Sequence, residues 1–155
     1  MGRAENRKGS AMTVAALHHI PMKPEYKSPF SAGFTAENCR IIFLSGCGPL
    51  QTYHVHPHDL IEEAKWFAGG YREQIRLTFE NMRVALKAAG ADFKDVVRLL
   101  IFLVDVREGQ DTLNEITYEI FGRKNPPART LIQAANSHPK MLVEIEATAA
   151  VSLSR

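Results

Sequence analysis

Six consecutive apolar residues, Leu99-Leu100-Ile101-Phe102-Leu103-Val104, constrain this chain more than any other stretch. They lie within Val96 to Val106, which reads as a β-strand. Successive side chains of a strand point to opposite faces, so an unbroken apolar run calls for cover on both. The chain can supply cover for one face from its own helices. Tyr71 to Ala89 reads as the first: Ile75, Phe79, Met82, Leu86 and Ala89 recur at spacings of three and four and make one apolar stripe. Gly90 provides its C-terminal stop. Thr112 to Phe121 reads as the second, with Leu113, Ile116, Tyr118 and Ile120 as its larger apolar residues, before Gly122 and Pro126-Pro127 break it.

Strands flank these helices. Thr13 to Ile20 predicts a first short strand, and Pro21, Pro24 and Pro29 then mark a loop. Arg40 to Cys47 is β-rich and ends at Gly46-Cys47-Gly48-Pro49. Gln51 to Asp59 is a polar, His-rich loop, and Leu60 to Phe67 reads as a short helix. After Pro126-Pro127-Ala128-Arg129-Thr130 comes an apolar run, a turn at Asn136 to Lys140, and a last strand, Val143-Glu144-Ile145-Glu146-Ala147. The order of strands, helix, strand, helix, strands predicts an α+β fold: a mixed β-sheet with two helices packed on one face.

The 155 residues suffice for one domain, expected over residues 13–155. Residues 1–12 are polar and basic, and read as a disordered tail or cloning remnant rather than a secretory signal. A formal net charge of +2 is too mild to argue for nucleic acid, and no basic stripe with interleaved aromatics occurs. No apolar run reaches the ~20 residues of a membrane helix. The two cysteines, Cys39 and Cys47, are not expected to pair, which suits a reducing cytoplasm.

Period two places Glu144 and Glu146 on one strand face and Val143, Ile145 and Ala147 on the other. Arg129 presents a planar, permanently charged fork suited to a carboxylate. These two segments carry the most specific part of a resemblance that runs from about Pro29 to Val151. Pro-Ala-Arg-Thr at 127–130, Glu-Ile-Glu-Ala at 144–147, Leu44-Ser45-Gly46, Ala88-Ala89-Gly90-Ala91, Asp95-Val96-Val97 and Tyr118-Glu119 with Phe121 are similar to the Rid family of reactive enamine and imine deaminases, also called YjgF-like proteins. The resemblance implies a chorismate-mutase-like homotrimer with ligand clefts between adjacent subunits. It implies a hydrolytic, cofactor-independent deaminase that releases ammonia and a keto acid. Arg129 would bind the substrate carboxylate and Glu144 would position or activate water. Ser45, Cys47, Phe30, Leu131 and Tyr118 would line the substrate pocket.

This chain departs from the family pattern at three places. Phe30 stands where many members have Tyr, and Leu131 where a Cys often follows the Arg by two. Glu115 falls where an Asn is usual; Asn114 is one position off, a rotation of ~100° on a helix. These changes suggest a variant for larger acids of the aminomuconate type. A second class remains open, a non-catalytic trimeric module that binds small acids. His54, His56 and His58 would share a face in extended backbone, and His-x-His can chelate zinc. However, Pro57 interrupts pairing and no Cys or acidic cluster completes a known spacing. A polar loop, with no metal, is the expectation.

Overall fold

The computed structural model describes residues 11–17, 28–51 and 53–153. The elements in chain order are β1 (Thr13–Leu17), β2 (Gly33–Glu37), β3 (Cys39–Phe43), α1 (Leu60–Trp66), α2 (Tyr71–Ala88), β4 (Val96–Leu103), α3 (Val106–Phe121), β5 (Ala128–Gln133) and β6 (Val143–Ser152). Strands β3-β6-β4-β5 form one sheet in that order. The β4–β5 pair is parallel and the other two pairs are antiparallel, so the sheet is mixed as expected. β1 and β2 form a separate antiparallel pair.

β4 behaves as its composition demands. Leu99, Ile101 and Leu103 face α2 and α3 and are at most 1 % exposed. Ile75, Phe79, Met82 and Leu86 of α2, with Leu113 and Ile116 of α3, complete that core. Among the described residues no helix lies over the other face. Along it lie Leu100 and Phe102, half-buried, with Phe43 at 79 % exposure, Ile41 and Ile132. On β6, between these apolar residues, the same face carries Glu144, Glu146 and Thr148, so exposed apolar groups flank two carboxylates. Exposed apolar groups grouped in this way mark an interaction surface.

Four boundaries differ from the sequence reading by several residues, and one strand is additional. The strand predicted to reach Cys47 ends at Phe43, and the last strand runs past Ala147 to Ser152. The strand predicted to reach Val106 stops at Leu103, and α3 begins six residues earlier than Thr112. The cause is Asp105, whose carboxylate accepts the Arg107 and Glu108 backbone N–H groups and so caps a new helix. β2 went unseen because Gly33 and Glu37 are poor strand formers. Its partner β1 supplies the pairing. The loop containing Pro21 and Pro24, the end of the first predicted strand and residues 1–10 lie outside the described residues. Cys39 and Cys47 are both free thiols. Among the described residues no helix is long and apolar enough to cross a membrane.

Polar side chains fix the loops around the helices. The Asn81 amide donates to the Gly48 and Leu50 carbonyls at 2.9 and 2.8 Å, holding the segment after β3 against α2. Gln74 bridges the Lys140 carbonyl and the Leu142 N–H, fixing the approach to β6. Tyr71 is pinned at its far end, where its hydroxyl oxygen accepts the Asp105 N–H at 2.7 Å. Gly109 of α3 rests on that ring: a Cβ there would lie 2.7 Å from Tyr71 and 3.0 Å from Leu103. Gly109→Ala is therefore expected to lower stability by about 1–3 kcal/mol, the cost of overpacking a core that cannot yield. Urea unfolding would measure it, and an unchanged midpoint would show that the ring is free to move.

Candidate active site

Arg129 sits on β5, an edge strand, paired with Leu99 of β4, so its side chain leaves the sheet on the helix face. There its guanidinium donates to the Asn114 side-chain oxygen of α3 at 2.7 Å. The Phe30 ring lies 5.3 Å from the guanidinium carbon, within cation–π range. Phe30 is brought there by its neighbour. Ser31 is buried, bridges to Ala128, and donates its hydroxyl to the Pro126 carbonyl at 2.7 Å. Burial lowers the Arg129 pKa, and Tyr118 acts in the opposite direction. Arginine remains charged under either influence.

Tyr118 lies one turn beyond Asn114, on the same side of α3. Leu131 follows Arg129 by two on the same face and packs against the core. Glu115 is turned elsewhere and pairs with Arg72 of α2 at 2.6 Å. The amide missing from position 115 thus reaches the guanidinium from position 114. Asn114 is the residue the sequence reading did not place in the site. Its spacing of four from Tyr118 was the available signal.

Glu144 sits on β6, paired with Phe102 of β4, and leaves the sheet on the face opposite Arg129. Its carboxyl lies over Gly46, occupying the place a Cβ would take there. Hence only glycine fits at 46 without displacing that group. Burial raises the Glu144 pKa, and Glu146 raises it further. A cavity of about 180 Å³ opens beside it, lined by Gly46, Gln51, His54, Ser137 and Met141 among others. Cys47 is buried and exchanges two backbone hydrogen bonds with Ile145, each 2.9 Å, which fastens the Gly46–Gly48 segment to β6. Burial, with help from Glu144, pushes its thiol up to about 11. It is a neutral structural thiol. Ser45 is exposed and lines a groove with Phe43, Cys47, Tyr53 and Val84, as expected of Ser45 and Cys47, and that groove shares Gly46 with the Glu144 cavity.

A single chain therefore brings together Arg129, Asn114, Phe30, Tyr118 and Leu131. It separately brings together Glu144, Gly46 and Cys47. The groove lined by Arg129, about 400 Å³ beside Ala32 to Phe34, shares no residue with the Glu144 cavity. The described residues of the histidine segment form a loop, as expected, and within it the rings of His54, His56 and His58 converge, with centroids 4.6 to 4.7 Å apart.

A sequence model of the family described as Endoribonuclease L-PSP matches residues 21–151. The chain belongs to this family, the Rid or YjgF-like proteins. It is 39 % identical over 82 residues to the human 2-iminobutanoate/2-iminopropanoate deaminase, covering 53 % of this chain and 58 % of that protein. It is 32 % identical over 126 residues to the chloroplastic Reactive Intermediate Deaminase A of Arabidopsis thaliana, covering 81 % of this chain and 60 % of that protein. The chain thus spans little more than half the length of these two named deaminases. The fold matches the Rid family protein YyfB of Yersinia pestis with a TM-score of 0.67 at 23 % identity, over 89 % of this chain and 98 % of that one.

Proposed function

We propose that this Rid family member is a hydrolytic deaminase of reactive enamine or imine acids, working at composite sites between neighbouring copies of a homotrimer. The observation that carries this reading is the fixed guanidinium of Arg129. Asn114 holds it from one side and Phe30 covers it, so its fork is oriented before a carboxylate arrives. Arg129 and Glu144 point to opposite faces of their own sheet, so one chain cannot hold a small substrate between them. Arg129 stands at the sheet edge, and the face that bears Glu144 also exposes Phe43 and Ile41, with no helix over it among the described residues. A neighbour docked on that face can bring its Arg129 toward this chain's Glu144.

The chemistry then follows from charge and proton placement. Arg129 of one copy binds the substrate carboxylate. An enamine first takes a proton on carbon to become the imine. Glu144 of the next copy takes a proton from water as the oxygen bonds to the imine carbon. That proton then passes to the nitrogen, giving a carbinolamine. As the hydroxyl proton moves to that nitrogen the C–N bond breaks, ammonia leaves and the hydroxyl oxygen becomes the keto group. These steps need no cofactor. A raised carboxyl pKa suits a group that accepts and returns a proton near neutrality. Phe30 covers the guanidinium and Leu131 packs against the core on the same strand face, apolar where many relatives carry polar groups, which favours a larger unsaturated acid of the aminomuconate type. The same two residues favour the second reading, a trimer that binds small acids without turning them over.

Ammonia release from an enamine generated in situ, followed across pH, tests this. Glu144 must be ionised to take the proton. Its pKa is raised, so the rate is expected to fall on acidification at a pH above the ordinary glutamate range. Arg129→Lys is expected to weaken pyruvate binding and raise KM, since a point charge replaces the planar fork. Pyruvate binding without any acceleration of deamination by the native chain would establish the binding-module reading instead.

A further inference from the structure

The histidine loop plays no part in the deamination steps, yet its geometry is specific. His54, His56 and His58 each offer a ring nitrogen, and these atoms all lie within 4.8 Å of one another. One of the rings is held from behind by a hydrogen bond, and a second faces a carboxylate that also meets His138 and Lys140. His54 Nδ1 meets the Gln51 carbonyl at 2.7 Å, which fixes it as the donor and leaves Nε2 with its lone pair. His58 Nδ1 lies 3.5 Å from the Glu63 carboxylate. Ligating histidines are oriented in this way, the second nitrogen donating to a carbonyl or carboxylate. Independently, His58 Nε2 is fully buried and has no hydrogen-bond partner. A buried polar atom in that condition is costly unless something meets it. Trp66 packs against both His54 and His58, at 5.4 and 5.5 Å between centroids, and closes the inner side of the cluster.

We propose that His54, His56 and His58 form a binding site for a divalent transition-metal ion of the zinc class. Imidazole is a preferred ligand for zinc, cobalt and nickel, and three of them leave a coordination position open. Tetrahedral bonds of about 2.0–2.1 Å set neighbouring nitrogens roughly 3.3 Å apart, so the loop must close by about 1 Å around the ion. His54 also lines the Glu144 cavity. The ion therefore sits at the wall of that cavity and fixes the loop that forms it. The site depends on no step of the proposed deamination.

The test uses the full chain with any affinity tag removed. Cobalt(II) is titrated in, and zinc affinity is measured by competition with a chromophoric chelator. The expected result is one ion per chain, the visible d–d bands of tetrahedral cobalt, and a zinc Kd below ~1 µM near neutral pH. His56→Ala, at an exposed position whose loss leaves the fold intact, is expected to weaken zinc at least ~100-fold, and Glu63→Gln about 10-fold. Absence of the cobalt bands would overturn the proposal, and so would zinc uptake that His56→Ala leaves unchanged. Because the readout is binding, failure here leaves the deaminase reading intact, and loss of deaminase activity leaves this one intact.

Discussion

Glu144→Gln is expected to lower deamination turnover by about 10²–10⁴-fold, the usual worth of a positioned proton carrier, while pyruvate still binds. The variant should also fold at least as well as the native chain at neutral pH. Because burial raises the Glu144 pKa, the native state holds this proton more tightly than the unfolded chain does. The stability linked to it is present at low pH and lost as pH rises through the folded pKa. Glutamine never acquires the charge, so a thermal melt at neutral pH should show no penalty. Equal turnover by the native chain and the variant would remove Glu144 from the mechanism.

The opposite-face geometry makes a sharper form of this experiment possible. Arg129→Ala and Glu144→Gln chains are each expected to be inactive alone. In a ring of three, a mixed trimer always contains one junction where an intact Arg129 meets an intact Glu144. Random mixing at equal amounts makes about three quarters of trimers mixed, each with one of three sites restored, so turnover recovers to about a quarter of native. Co-refolded chains that stay inactive would show that the two residues do not meet across a seam.

The second large effect concerns assembly. Phe43 is 79 % exposed in one chain, so Phe43→Arg is expected to change the stability of the isolated fold by less than about 0.5 kcal/mol. In the assembly the long charged side chain would have to be desolvated and fitted into every seam. Light scattering should then report 17.3 kDa in place of three times that mass, and deamination should disappear with it. An intact trimer in the variant would mean that the apolar sheet face is not the seam.

The local elements were legible because their signals are local. The α2 stripe at spacings of three and four gave the helix to within one residue, and the alternation at Glu144 and Glu146 gave the faces of β6. What could not be read was the relation between strands. Whether Arg129 and Glu144 share a face depends on the register of β5 and β6 against β4, a parity that neither segment contains. The Leu99–Arg129 and Phe102–Glu144 pairings settle it, three residues apart on β4 and therefore on opposite sides. Asn114 was hidden for a different reason. Matching it position by position against Glu115 ignored that a helix side chain is placed by its turn, and Tyr118 four residues later marked the right turn. The convergence of the three histidines is a property of a loop path, which no periodicity predicts.

The buried Cys47 has a bearing on the chain's durability. The carbon of an imine acid is electrophilic, and under the proposed function a thiolate close to the cleft would add to it. Attack requires the ionised sulfur. With its thiol pushed up to about 11, Cys47 carries roughly one thiolate in ten thousand molecules at neutral pH. A sulfur set beside Glu144 is thus kept chemically silent by burial and by that carboxylate, and under the proposed function the chain would outlast the reagents it handles.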